Sequence, residues 1–204
     1  MSYSTGMKHT LLRFQEQGAM ECGLDECGRG SLAGPVVAAA VVWTEEEGEL
    51  DHHIRDSKKL NSRQREEMAA YIKDQAIDWS IQFIDHETID NINILQATMK
   101  AMHKCLDEIR VPFESILVDG DKFQSYNGIP HTCVVKGDDT YMSIAAASIL
   151  AKTARDAYMQ EMHKKYSVYK WNSNVGYGTL EHMKAIETHG LSPLHRKTFC
   201  KRWL

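Results

Sequence analysis

The stretch GLDECGRGSLAGPVVAAAVVW, which begins at Gly23, constrains this 204-residue chain more than any other part of it. Two runs, AMECGLD and PVVAAAVVW, have the length and composition of strands. Their connection is short enough to make the pair antiparallel. Asp25 and Glu26 stand side by side at the end of the first run. Ionised carboxylates are poor core material unless they are paired or hold a metal. Gly28, Arg29, Gly30 and Gly34 follow, and glycines this dense mark a backbone that another group approaches closely. The sheet built on this stretch therefore delivers two acids to a glycine-lined loop.

The remaining chain alternates between strands and helices. Asn61 with Gln64 three residues on forms a capping box for a helix over SRQREEMAAYIKDQA. IDWSIQFI alternates as a third strand. Leu95, Met99, Met102, Leu106 and Ile109 recur at helical spacing, which predicts an amphipathic helix over NILQATMKAMHKCLDEI. ESILVDG and HTCVVKGD are further short strands, each ending in an acid. SIAAASILAKTARDAYMQEMHKKY is a long helix whose small residues allow close packing on a sheet. Shorter helices are expected at TLEHMKAIETH and near the C-terminus. This order implies an α/β fold around a sheet of mixed direction.

Four acids fall in comparable places. Asp25 and Glu26 end one strand, Asp119 ends another and Asp138 follows a third. Ligands of α/β sheets gather at strand ends. No Lys or Arg stands directly beside Asp25 or Asp119, so carboxylates converging there suit a hard cation such as Mg²⁺ or Mn²⁺. For VDGD taken alone, a simple Asp-Gly turn is the stronger reading. For all four acids together it is much weaker.

Composition bounds the remaining choices. A net charge of −4 argues against holding nucleic acid by bulk charge, although local basic patches stay open. Five cysteines without paired spacing read as reduced thiols of a cytoplasmic protein. Neither a signal-peptide core nor a membrane-length apolar run is visible. Gly28, Gly30 and Gly34 miss the dinucleotide fingerprint by one position, and a strand rather than a helix follows them. His52 and His53 lack partners at metal-ligand spacing and read as surface residues.

The segments GLDECGRGSLAGPVVAAAVV, DSKKL, NINILQATMKAM, LVDGD, KGDDTYMSIAAASILAKTARD and NVGYGTLEHMKAIETHGLSPLHR, in this order, resemble the type 2 ribonucleases H, the ribonuclease HII family. The resemblance implies a ribonuclease H-like fold: a mixed five-stranded sheet flanked by helices, with a helical C-terminal extension. On that pattern residues 18–165 are the catalytic domain, and 166–204 are the extension packed on it. The family's metal-binding carboxylates fall on Asp25, Glu26, Asp119 and Asp138, which would hold two Mg²⁺ or Mn²⁺ ions in the substrate complex. Two such ions can activate water and stabilise the leaving oxygen of a phosphodiester.

By the same resemblance, main-chain groups of Gly28, Arg29 and Gly30 read a ribose 2′-hydroxyl, the group that separates RNA from DNA. Arg29 binds a phosphate or braces that loop. Tyr177 stacks on the deoxyribose of the next nucleotide, and Lys58 touches the phosphate backbone. The implied activity is hydrolysis of the RNA strand of RNA/DNA hybrids, with nicking 5′ of single ribonucleotides embedded in duplex DNA. The products carry 3′-hydroxyl and 5′-phosphate ends. A catalytically idle nucleic-acid-binding module on the same fold is the alternative, disfavoured because four carboxylates without metal repel a phosphate backbone. A monomer without membrane contact is expected.

Several further expectations concern single residues. Lys59 and the run near Arg196 and Lys197 are candidate phosphate contacts. Ser148 bonds locally or touches substrate. Cys27 stands where the family usually has alanine, which leaves oxidation or soft-metal inhibition open. Ser31 replaces the usual proline, which would loosen the loop slightly.

Overall fold

In a computed structural model of the protein, residues 11–46, 48–54 and 60–204 are described. Five strands, β1 (Glu21–Cys27), β2 (Val36–Val42), β3 (Asp78–Ile84), β4 (Ser115–Asp119) and β5 (His131–Val134), form one sheet. Their spatial order is β3-β2-β1-β4-β5. β1 and β3 each pair antiparallel with β2. β4 pairs parallel with β1, and β5 parallel with β4. The mixed sheet expected from the sequence is what forms.

The helices are α1 (Asp51–Ile54), α2 (Ser62–Gln75), α3 (His86–Ile92), α4 (Ile94–Glu108), α5 (Met142–Lys165), α6 (Trp171–Asn174) and α7 (Leu180–His189). They explain why β2 carries no polar residue. Val37, Ala39 and Val41 pack under α2 and α5, while Val36, Ala38, Ala40 and Val42 pack under α4. A strand covered on both faces reads as a continuous apolar run rather than an alternating one. Each valine so buried contributes roughly 1.5–3 kcal/mol.

Local signals set the helix ends. Asn61 and Gln64 make the reciprocal capping box at α2, with both bonds 3.0 Å long. Asn93, at φ 67°, caps α4 by accepting from Gln96 N–H. α3 was not visible as a separate helix in the apolar pattern, although its signal was present: Asp85 accepts from Thr88 N–H at 2.7 Å. The strand expected over HTCVVKGD stops at Val134, because Lys136 turns left-handed (φ 57°) and starts a 3-10 turn at Gly137–Asp139. Asp138 therefore sits on that turn. At the C-terminus the expected helix is a single 3-10 turn, Lys201–Trp203.

α5 lies directly on β1. A Cβ on Gly23 would stand 2.5 Å from the main-chain carbon of Ser143, so the first turn of α5 seats only because that position is glycine. This contact runs α5 along the strand that carries Asp25.

Candidate active site

Parallel pairing brings the acids together. Leu24 registers with Val118, so the residues that follow, Asp25 and Asp119, stand side by side. Asp119 is the last residue of β4, whereas Asp25 lies two residues inside β1, which runs on to Cys27 rather than ending at the acids. Both have the opposite strand parity to Leu24 and Val118, which pack toward α4. Asp25 is 5% exposed. Its Oδ1 accepts from Glu26 N–H at 2.7 Å, and the Ser148 side chain on α5 lies beside its carboxylate. Asp119 Oδ1 accepts from Gly137 N–H at 2.7 Å, which ties β4 to the turn that carries Asp138.

The electrostatics follow from this crowding. Burial, then the charges of Glu26 and Asp119, hold the Asp25 carboxyl well above the usual carboxylate range. Burial also raises Glu26, and Arg29, whose Nη1 lies 3.4 Å from Glu26 Oε1, does not cancel that rise. Negative charge concentrated away from water calls for a cation, and donors that are all carboxylate oxygens fit Mg²⁺ or Mn²⁺. Among the described residues no three His, Cys, Asp or Glu side chains close into a coordination cage. The acids line a site instead, which suits an ion that keeps waters and is held by one or two carboxylates plus a substrate.

Beside the acids, the glycine loop is clamped from behind by two buried arginines. Arg155 on α5 is fully buried, and its guanidinium donates to Pro35 O, Val175 O, Ala33 O and Ser31 Oγ. Arg196, equally buried, donates to Gly28 O, Arg29 O and Gly34 O. Burial, with the Arg155 charge nearby, lowers Arg196 to about 9, so it stays charged at neutral pH. Arg196 is thus a brace for the loop and not the phosphate contact expected from the sequence. Ser31 also differs from expectation: its hydroxyl donates to Gly28 O at 2.9 Å and accepts from Arg155, which ties the loop rather than loosening it.

Gly28 and Gly30 are glycine for different reasons. Gly28 has φ +93°, and a Cβ there would lie 2.1 Å from Arg155 Nε, whereas a Cβ on Gly30 would meet nothing within 4 Å. Gly28 makes room for the clamp, and Gly30 faces open space. Gly28→Ala is expected to cost at least about 2 kcal/mol, from the left-handed strain and the displaced guanidinium together. Gly30→Ala should fold normally. Urea denaturation of the two variants checks this, and equal midpoints would show that Gly28 is not where the clamp presses.

Tyr177 lies against the same loop. Its ring centroid is 5.4 Å from Arg155 Cζ, and burial beside Cys27 holds its hydroxyl above the ordinary tyrosine range. The ring stays partly exposed, at 36%. Main-chain bonds hold the two loops together: Leu32 N–H to Gly176 O, Gly34 N–H to Leu194 O, and Arg196 N–H to Leu32 O. Burial raises the Cys27 thiol, so it stays protonated at neutral pH and is a slow target for oxidants. The Arg29 side chain is half exposed. Lys58 and Lys59 lie outside the described residues.

The ribonuclease HII family profile matches residues 22–202. The chain belongs to the ribonuclease HII family. The ribonuclease HII of Parabacteroides distasonis is 49% identical over 189 residues, which cover 93% of this chain and 94% of that protein. The ribonuclease HII of Cytophaga hutchinsonii is 48% identical, covering 95% of both chains. Among solved structures, ribonuclease H2 from Pyrococcus horikoshii OT3 superimposes with a TM-score of 0.74 at 25% identity, over 89% of this chain and 95% of its own. The fold is also that of Bst-RNase HIII in complex with Mn²⁺, with a TM-score of 0.63 at 19% identity, over 89% of this chain and 64% of that one.

The clamping role of Arg155 in this chain is not among the expectations from the sequence. A signal was available: Ser148, Lys152 and Arg155 fall on one face of α5, and Ser148 points at Asp25. For Arg196 there was none, because an arginine after Pro193-Leu194-His195 looks like any surface charge.

Proposed function

We propose that this chain is a divalent-cation-dependent endoribonuclease that hydrolyses the RNA strand of RNA/DNA hybrids and incises 5′ of single ribonucleotides in duplex DNA. Its products are 3′-hydroxyl and 5′-phosphate ends. The observation that carries the reading is the buried Asp25 carboxylate, crowded by Glu26 and Asp119, one loop away from main-chain groups clamped beside Tyr177. Asp25, Glu26, Asp119 and Asp138 would hold two Mg²⁺ or Mn²⁺ ions. Those ions, when bound, would supply water activation and stabilisation of charge on the leaving oxygen.

The chain's own groups do the rest. Gly28, Arg29 and Gly30 present main chain to a 2′-hydroxyl, and the two buried arginines hold that main chain still before substrate arrives. Arg29 reaches a phosphate from the rim, and Tyr177 offers a ring face to the sugar on the 3′ side. Lys58 adds a sequence-independent phosphate contact. We read residues 18–165 as the catalytic domain and 166–204 as an extension of the same unit, supported by the main-chain bonds from Gly176 and Leu194 to the glycine loop. A cytoplasmic monomer is the working form. No helix among the described residues is long and apolar enough to cross a membrane.

The test is incision of a duplex containing one ribonucleotide, with and without Mg²⁺ or Mn²⁺. Cutting 5′ of the ribonucleotide only with the ion present supports the reading, and indifference to the ribonucleotide refutes it. Tyr177→Ala should lose more cutting at the RNA-to-DNA junction than within uniform hybrid, by roughly the 1–3 kcal/mol of one stacking contact. Equal losses on the two substrates would make Tyr177 a support for the loop instead.

A further inference from the structure

His182 and His195 are fully or almost fully buried, and nothing in the proposed chemistry uses them. Their hydrogen bonds fix every ring proton. His182 Nδ1 lies 2.8 Å from the main-chain carbonyl oxygen of Tyr177, which can only accept, so Nδ1 carries the hydrogen. His182 Nε2 is then a lone pair, and it accepts from Trp171 Nε1–H at 3.1 Å. It also lies 3.1 Å from His195 Nε2, which must therefore be the donor. That leaves His195 Nδ1 as an acceptor: Ser192 N–H donates to it at 2.9 Å, and the Ser192 hydroxyl, 2.8 Å away, must donate to it as well. Reasoning from the Ser192 end gives the same two tautomers as reasoning from the Tyr177 end.

The chain of bonds thus runs one way, from the Ser192 amide through two neutral imidazoles to the Tyr177 carbonyl. Tyr169 and Trp171 enclose it: the Tyr169 ring is edge-on to His195 at 4.8 Å and stacked on Trp171 at 5.3 Å. Burial holds both imidazoles below their ordinary range, His195 at about 4, so both are neutral at neutral pH. Tyr177 sits at the far end. Its ring lies against the Arg155 guanidinium, while its carbonyl is gripped by His182 and by Thr179 N–H.

We propose that the His195–His182 chain is a positioning device, which sets the main chain of Tyr177 and through it the placement of the tyrosine ring that discriminates the ribonucleotide-to-deoxyribonucleotide junction. The inference rests on the reading of Tyr177 given above. A shift of the ring by an ångström moves a stacking face off its sugar, and misplacement on that scale costs far more at the junction than within uniform hybrid.

The test measures kcat/KM on a duplex with one ribonucleotide and on a uniform RNA/DNA hybrid. His182→Leu should lower the junction-to-hybrid ratio about tenfold. His182→Asn, whose amide nitrogen falls near the Nδ1 position, should restore most of it. Added to Tyr177→Ala, His182→Leu should change the ratio no further, because both act through one ring. A folded His182→Leu protein with the wild-type ratio, or one whose loss adds to that of Tyr177→Ala, overturns the inference. A wild-type ratio in Tyr177→Ala alone refutes the reading of Tyr177 and takes the positioning role with it. Should His182→Leu fail to fold, nitrogen NMR of the wild type decides the matter. Protons on His182 Nδ1 and His195 Nε2 at neutral pH support the chain, and any other pair of tautomers overturns it.

Discussion

Asp25→Asn is expected to remove nearly all nuclease activity and yet leave the metal-free protein at least as stable as the wild type at neutral pH. The two halves have one cause. Asp25 is buried against Glu26 and Asp119, and its carboxyl is held well above the usual range. An acid whose folded pKa is raised contributes stability that is fully present below its unfolded pKa. That contribution is lost as pH rises through the folded value. At neutral pH the charge is therefore a cost to the fold, and asparagine removes it while keeping an oxygen for Glu26 N–H.

Activity should fall by about a thousandfold or more, the scale of several kcal/mol of lost charge stabilisation. Melting in EDTA and in Mg²⁺ separates the effects. The wild type should gain more from Mg²⁺ than the variant does, because a ligand that binds only the folded state raises its midpoint. An Asn variant that melts well below the wild type in EDTA would mean that Asp25 is a structural acid.

The second large effect is expected at Arg155. Arg155→Met preserves much of the aliphatic volume but removes the guanidinium that donates to Pro35 O, Val175 O, Ala33 O and Ser31 Oγ. Buried acceptors left without donors are expensive, and the loss should approach the 3–5 kcal/mol typical of breaking a buried charged network. Arg155→Lys should not rescue it, since an ammonium cannot fork across two loops. Activity should fall along with stability, because the same guanidinium holds the glycine loop and lies against the Tyr177 ring. Urea denaturation of both variants checks this. A lysine variant at wild-type stability would reduce the clamp to a single point charge.

Much of the molecule could be read from its residues. The apolar run of β2, the adjacent acids near the end of β1, the Asn61–Gln64 box and the 3.6-residue period of α4 are local patterns. Each is dictated by backbone geometry within a few residues. The order of motifs added the family and, with it, the roles of the acids and the glycine loop that the strand ends and glycine spacing had already marked. What the sequence could not supply was which polar groups end up buried. Arg196 and His195 look like a surface pair after Pro193, yet both lie inside, one bonded to three loop carbonyls and the other to a second imidazole. Asp119 and Asp138 are far apart along the chain, and the Gly137 amide joins their strand end and turn. Ser31 and Gly28 changed meaning once Arg155 was seen between them. Local propensity depends on neighbours in sequence and is written there. The burial of a charge depends on partners brought from distant segments, so it is settled only when the sheet, α5 and the C-terminal loops have packed together.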